Sequence, residues 1–95
     1  MQPTVIPYHI TEEEEQTITE NRTLFHGVAL ILGESNSSSS GTVTLKDTED
    51  NLLCRLRIDG DKSKTHTFFA NRPIRADGLK VELSESDTEA FVYYG

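Results

Sequence analysis

The chain has 95 residues, which is enough for one domain with one hydrophobic core. Its 9 basic residues against 16 acidic residues give a formal charge of −7, which disfavours binding to a nucleic-acid backbone. A single cysteine excludes an intramolecular disulfide, and no apolar run approaches the roughly 18 residues that span a bilayer. We therefore expect a soluble domain made in a reducing cytosol, with no cleavable leader and no nucleic-acid or membrane partner.

The first twenty residues differ from the rest of the chain. Pro3 and Pro7 remove backbone donors and favour extended backbone, and the run Glu12–Glu15 follows. Between them lie apolar side chains that are unusual for a free tail, namely Val5, Ile6, Tyr8 and Ile10. We predict an N-terminal arm and acidic segment over 1–20, which packs against its own domain or a neighbouring subunit, and a β-sandwich domain over 21–95.

Alternation of apolar and polar residues with period two predicts strands through the second region. The segment 23–33 is apolar on both sides and is typical of a central strand, with Leu24, His26, Val28, Leu30 and Leu32 on one face and Phe25, Ala29 and Ile31 on the other. Further strands are predicted, in chain order, at 41–47, 51–59, 65–70, 78–84 and 89–95. Turn residues recur every 10–13 residues between them, such as Asp59-Gly60 and Asp77-Gly78. The sequence thus predicts an all-β fold, a small antiparallel β-sandwich that is jelly-roll-like or Ig-like, with an extended N-terminal arm.

The strand predicted at 51–59 carries two arginines on one face. Leu52, Cys54, Leu56 and Ile58 are expected to point inward, and Arg55 and Arg57 outward. One interpretation is a solvated sheet face. The other is a docking face for an acidic surface, which Arg72 and Arg75 would join.

Residues capable of catalysis or metal binding are sparse. His9, His26 and His66 match no metal-ligand spacing, and Cys54 lies within a predicted strand as a small apolar residue would. The run Glu12–Glu15 lacks the interleaved Asp, Asn and Gly of a calcium loop, so we interpret it as a solvated acidic rim. We predict no catalytic, cofactor or metal site and no enzyme activity.

Four stretches of the sequence carry a resemblance to a known family. They are "LFHGVALILG", "GTVTLKD", "RPIRADGLKVELS" and "FVYYG". Their order resembles that of small β-sandwich virion proteins of tailed bacteriophages, with matches at Leu24, Gly27, Val28, Gly41 to Leu45, Asp47, Pro73, Ile74, Gly78, Leu79, Val81 and Val92 to Tyr94. The resemblance leaves out residues 1–20, and its motifs are strand and turn signatures rather than catalytic residues.

This resemblance implies a virion structural protein, first of all a capsid decoration (cement) protein that binds the major capsid protein on the outer capsid surface. Such a protein would act as a homotrimer, be made in the cytoplasm of the bacterial host, and stabilise the shell by binding its assembled form. The alternative is a tail, baseplate or head-fibre module that contacts the host surface. A third interpretation is a carbohydrate-binding module, against which we weigh the lack of Trp and of loop aromatics.

The predicted arm would take part in that assembly. Its apolar residues Val5, Ile6, Tyr8 and Ile10 would anchor it on a neighbouring copy or on the shell. Its glutamates would then lie near basic residues of the second half, with the candidates Arg55, Arg57, Arg72 and Arg75.

Overall fold

The computed structural model describes residues 5–33, 40–59, 64–69, 72–85 and 87–95. These ranges form seven strands: β1 (Ile6–Ile10), β2 (Gln16–Leu32), β3 (Ser40–Lys46), β4 (Leu52–Asp59), β5 (Lys64–Phe68), β6 (Ile74–Leu83) and β7 (Thr88–Tyr94). All strand pairs are antiparallel. The predicted all-β antiparallel sandwich is therefore confirmed. Within the described ranges, no helix has the length and apolarity needed to cross a membrane.

The long strand β2 joins the two layers of the sandwich. The strand order is β1-β7-β2-β6-β3-β4, and β5 pairs with β2 outside this path. The first part of β2 pairs with β6, and its second part, from Phe25 onward, pairs with β7 on one side and β5 on the other. A straight strand of 17 residues would span about 55 Å. Because the molecule is at most 42 Å long, β2 must bend between the layers.

The core lies between these layers and takes side chains from six strands. Strict alternation in β3 and β7 turns Val43, Leu45, Ala90 and Val92 inward, as the sequence pattern predicts. Full burial of an aliphatic side chain contributes about 1.5–3 kcal/mol. Among the described residues, the buried hydrophobic residues are Ile10, Phe25, Val28, Leu30, Val43, Leu45, Ile58, Ala76, Leu79, Val81, Leu83, Ala90 and Val92.

A β-bulge at His26 corrects the predicted faces of β2. Phe25 pairs with Tyr94 and Gly27 pairs with Tyr93, so His26 is an extra residue in the ladder between β2 and β7. An inserted residue reverses the alternation beyond it. The prediction that placed Phe25 and Val28 on opposite faces was wrong, since both are buried in the core.

A second irregularity corrects the predicted inner face of β4. Cys54 pairs with Leu45, but Leu52 pairs with Lys46, so Leu53 is the extra residue. Leu53 packs against the core, and Leu52 is 54% exposed instead of pointing inward. The other end of the strand follows the prediction, since Ile58 is buried.

The described part of the N-terminal segment pairs within its own chain. Strand β1 runs antiparallel to β7, from Ile6 opposite Tyr94 to Ile10 opposite Ala90. Ile10 lies in the core at 1% exposure, and the Tyr8 hydroxyl donates to Gln16 Oε1 at 3.2 Å. Residues 6–10 thus form one edge strand of the sandwich.

Candidate binding face

The outer side of the layer formed by β1, β7, β2 and β5 is rich in aromatic rings. Strand register places Pro7, Tyr93, Gly27 and Phe68 in one row across the layer. The next row consists of His9, Phe91, Ala29 and His66. We call this surface the aromatic face and define it by Pro7, His9, Gly27, Ala29, His66, Phe68, Glu89, Phe91 and Tyr93.

Phe68 and Tyr93 meet over Gly27 at the centre of one row. Gly27 lies on β2 between the two strands that carry the rings, and the ring centroids are 5.4 Å apart at an interplanar angle of 62°. A methyl group on Gly27 would overlap the ring of Phe68 and would lie 2.6 Å from the carbonyl oxygen of Thr67. Glycine is therefore required at this position for the ring to lie across the strand. Phe68 remains 50% exposed in this arrangement.

His66 extends this cluster along β5. It lies two residues before Phe68 on the same side of the strand, and its ring centroid is 5.2 Å from that of Phe68. The two rings are tilted by 35°. Because His66 is exposed, its ring nitrogens are available for hydrogen bonds with a ligand.

His9 and Phe91 form the other aromatic contact of the face. Their rings are stacked with centroids 4.4 Å apart and nearly parallel at 3°. His9 Nε2 also lies 3.4 Å from Glu89 Oε1, and each of these two side chains is 46% exposed. The His9 imidazole is thus held in place by the Phe91 ring and the Glu89 carboxylate. The side chains of His9 and Glu89 remain partly exposed to solvent.

The aromatic face carries two kinds of chemical group. It combines partly exposed aromatic rings with imidazole, carboxylate and phenol groups, which donate or accept hydrogen bonds. The described ranges contain no cluster of three or more side chains that could hold a metal ion. Cys54 lies away from the face on β4, and burial raises the pKa of its thiol, which disfavours a reactive thiolate.

The outer side of the second layer is charged rather than aromatic. Arg55 and Arg57 lie opposite Thr44 and Thr42 of β3. Arg57 donates from Nε to Asp59 Oδ2 at 2.8 Å and from a terminal nitrogen to Asp59 Oδ1 at 3.1 Å. This hydrogen-bonded pairing with Asp59 raises the pKa of Arg57.

The four arginines singled out in the sequence fall into two separate groups. Arg55 aligns through Thr44 with Glu82, near the end of β6, whereas Arg75 lies near the start of β6, and exposed Arg72 precedes that strand. Arg75 and Glu82 are seven positions apart along β6, which corresponds to about 23 Å. The described structure therefore does not bring the four arginines into one face.

The predicted apolar anchors are likewise divided. Val5 and Ile6 are exposed at 43% and 45%, while Tyr8 is half-buried and Ile10 is in the core. Docking of this segment on another copy stays a prediction. Within the chain, its described residues contribute Pro7 and His9 to the aromatic face.

Sequence reasoning missed the aromatic face. The alternation in "THTFF" puts His66 and Phe68 on one side of a strand, and "FVYY" does the same for Phe91 and Tyr93. These signals are local, whereas the face depends on four strands that are distant in sequence. Only the register of β1, β7, β2 and β5 brings the rings together.

Comparison with known proteins shows similarity to lectin domains. No family model matches the chain, and no curated protein matches it. A mutant of the lectin-binding domain of lectinolysin, complexed with Lewis b, is 19% identical with a TM-score of 0.48, over 92% of this chain and 70% of that chain. The lectin domain of lectinolysin complexed with Lewis b antigen is 21% identical with a TM-score of 0.46, over 90% of this chain and 70% of that chain. At this identity the likeness concerns the fold alone.

This comparison corrects the predicted role. The similar structures are lectin domains and not virion proteins, so the capsid decoration role and its tail, baseplate or head-fibre alternative were wrong. The physical reason is that the motif residues are packing residues. Val43, Leu45, Leu79, Val81 and Val92 are all buried, and they specify a sandwich core rather than a role. Contacts with a major capsid protein, a homotrimer and a virion location stay untested predictions of that resemblance.

Proposed function

We propose that the protein is a non-catalytic carbohydrate-binding module and that the aromatic face is its site. The observation that carries this proposal is Phe68, which lies half-exposed over Gly27 and against Tyr93, with His66 beside it. Sugar rings present apolar C–H faces and polar hydroxyl edges. A surface that offers aromatic rings beside hydrogen-bonding groups complements both parts.

The shape of the face favours an extended saccharide over a small buried ligand. Sites for small molecules typically bury 70–90% of the ligand surface in a concave pocket. The aromatic face is instead the outer side of a sheet, with its rings in two rows across four strands. Such a surface contacts one side of a saccharide chain and leaves the other side in solvent.

The polar groups of the face suit the hydroxyl edges of sugars. Glu89 accepts hydrogen bonds, and each neutral imidazole, such as those of His9 and His66, provides one donor and one acceptor. The lack of Trp does not count against a carbohydrate site here, because Phe and Tyr side chains from the strands supply the aromatic rings.

The test is binding of the purified protein to a broad array of oligosaccharides, followed by titration calorimetry with the tightest binder. Phe68→Ala is expected to weaken binding at least tenfold, which corresponds to about 1.4 kcal/mol. The matched control is Leu52→Ala, because Leu52 is a similarly exposed hydrophobic residue that lies on β4 in the other layer. It is expected to bind like the wild type.

Two results would overturn the proposal. One is an array without any saccharide bound above background. The other is binding that Phe68→Ala leaves intact. If the array is empty and sedimentation shows self-association that Phe68→Ala abolishes, the aromatic face is instead a contact between copies of the chain.

A further inference from the structure

A shallow cleft continues the aromatic face beyond Tyr93. It has a volume of about 350 Å³ and is lined by Arg22, Thr23, Leu24, Arg75 and Gly95. The backbone N–H of Gly95 donates to the carbonyl oxygen of Leu24 at 3.0 Å, and this hydrogen bond holds Gly95 against β2. Tyr93 and Gly95 are two residues apart, so they lie on the same side of the extended chain, about 7 Å from each other.

Two guanidinium groups flank the apolar floor of this cleft. Arg75 of β6 pairs with Leu24 of β2, and Arg22 lies two residues before Leu24 on the same strand. The register between Arg22 and Asp77 places both arginines on adjacent strands at one end of the β2–β6 ladder. Both arginines therefore line the cleft beside Leu24.

The arginines retain unused hydrogen-bond donors. Arg22 Nε donates to Asp77 Oδ1 at 3.1 Å, which fixes one edge of its guanidinium. Among the described residues, the terminal nitrogens of Arg22 form no hydrogen bond, and Arg75 has neither a hydrogen bond nor an ion pair. Guanidinium groups bind carboxylates and other oxyanions through two parallel hydrogen bonds.

We propose that this cleft is a subsite for an oxyanion carried on a saccharide, either a carboxylate or a sulfate group. The inference rests on the proposed function and narrows it to acidic saccharides. A sugar that stacks on Tyr93 and Phe68 directs its next ring along β7 toward Leu24 and Gly95, where Arg22 and Arg75 meet its charged group. The chain as a whole is acidic, with a formal charge of −7, so a polyanion gains little from nonspecific attraction and depends on this local pair.

The experiment is a titration of the isotopically labelled full chain, followed by its backbone amide resonances in a buffer free of phosphate and sulfate. The probes are glucose, sodium glucuronate and sodium sulfate. Glucuronate is expected to shift the amides of Thr23, Leu24 and Gly95 saturably, together with those of the aromatic face. The protein should bind glucuronate about tenfold more tightly than glucose. Sulfate should shift only the amides of the cleft.

The variants Arg75→Gln and Arg22→Gln should reduce the glucuronate affinity to that of glucose and abolish the sulfate shifts. Arg55→Gln is the matched control, because it removes an exposed arginine of β4 far from the cleft. It should bind all three probes as the wild type does. Raising the salt concentration should weaken glucuronate binding and leave glucose binding unchanged.

The outcomes separate this subsite from the proposed function. Equal affinity for glucose and glucuronate, unchanged in Arg75→Gln, would overturn the subsite while carbohydrate binding stands. Glucuronate shifts confined to the cleft, with none on the aromatic face, would overturn the subsite as part of a saccharide site and leave the cleft as an anion site. The proposed function is overturned separately, by an array in which no saccharide binds. Equal shifts by glucuronate in wild type and both arginine variants would also overturn the subsite.

Discussion

Phe68 and Tyr93 contact each other across a strand that lies between them. Their ring centroids are 5.4 Å apart, although Phe68 is on β5 and Tyr93 is on β7, on opposite sides of β2. The contact exists because the intervening residue is Gly27, which leaves room for the Phe68 ring above the backbone. One residue without a side chain thus joins the rings of two strands into a single surface.

Gly27→Ala is expected to damage both the fold and the binding surface. The added methyl group would meet the Phe68 ring and the Thr67 carbonyl oxygen, 2.6 Å away, and overpacking of this kind costs about 1–3 kcal/mol. Urea denaturation measures the loss of stability. In a Phe68→Ala background the same substitution should cost less, because part of the obstruction is gone. Equal costs in the two backgrounds would show that the ring does not depend on Gly27.

Phe68→Ala alone should cost little stability. The ring is 50% exposed, so its removal should change the free energy of unfolding by about 1 kcal/mol or less. Leu30→Ala, which truncates a fully buried residue of β2, should cost about 2–5 kcal/mol. Urea denaturation of both variants gives the comparison. A loss for Phe68→Ala as large as that for Leu30→Ala would make Phe68 a packing residue instead of a ligand contact.

Strand β1 should be needed for the stability of the domain. Ile10→Ala is expected to cost about 2–5 kcal/mol, because Ile10 is 1% exposed in the core. Ile6→Ala is the matched control on the same strand, and it should change stability by about 0.5 kcal/mol or less, since Ile6 is 45% exposed. Equal, small effects of the two substitutions in thermal unfolding would indicate that β1 is dispensable for the fold.

Lys80 should link stability to pH through the turn between β3 and β4. Its ammonium group donates to Asp50 and lies 3.7 Å from Glu15. The hydrogen bond from Lys80 lowers the pKa of Asp50 from its ordinary value of 3.8. Hydrogen bonds from the side chain and backbone of Asn51 likewise lower the pKa of Asp47.

A carboxylate with a lowered pKa in the folded state stabilises the fold above its unfolded pKa, and this contribution disappears as the pH falls through the folded pKa. We therefore expect the urea midpoint to fall as the pH drops below about 4. Lys80→Gln should flatten the part of this fall that comes from Asp50, while Lys64→Gln, a substitution at an exposed lysine of β5, should not. The same acid-side profile in wild type and Lys80→Gln would contradict this assignment.

At alkaline pH, the stability of the fold should depend on the titration of Lys80 itself. The hydrogen bond to Asp50 raises the pKa of Lys80 above 10.5, so its contribution is present below that pH and is lost as the pH rises through the folded pKa. Thermal unfolding at increasing pH should therefore show a decline above about 10.5 that is smaller in Lys80→Gln. An unchanged alkaline profile in this variant would rule out the linkage.

The second part of β2 and the strands β3 to β7 could be located from the sequence, whereas β1 and the first part of β2 were not predicted as strands. The faces of β2 and β4 were also predicted incorrectly. Simple alternation identifies β3 and β7, whose inward residues are buried as expected. The bulges at His26 and Leu53 reverse the alternation in β2 and β4, and neither has a local sequence signature. A period-two pattern therefore locates a strand and misplaces its core residues beyond such a bulge.

The aromatic face could not be predicted from the sequence for a related reason. His66, Phe68, Phe91 and Tyr93 each lie on the expected side of a strand, but their proximity depends on which strands are neighbours. Pairing of β5 with β2, and of β2 with β7, is a property of the whole fold and not of any segment. The family motifs misled the functional prediction because they consist of buried residues that many sandwiches share.

The most direct test of the proposed function is to observe a saccharide on the aromatic rings. Nuclear Overhauser effects should be recorded between the tightest binder from the array and the 95-residue chain with its aromatic residues labelled. We predict contacts from the sugar ring C–H protons to the rings of Phe68 and Tyr93, and their loss in Phe68→Ala. A bound saccharide whose contacts all lie on other residues would contradict the assignment of this face. So would a Phe68→Ala variant that keeps the contacts at Tyr93 and binds the saccharide with undiminished affinity.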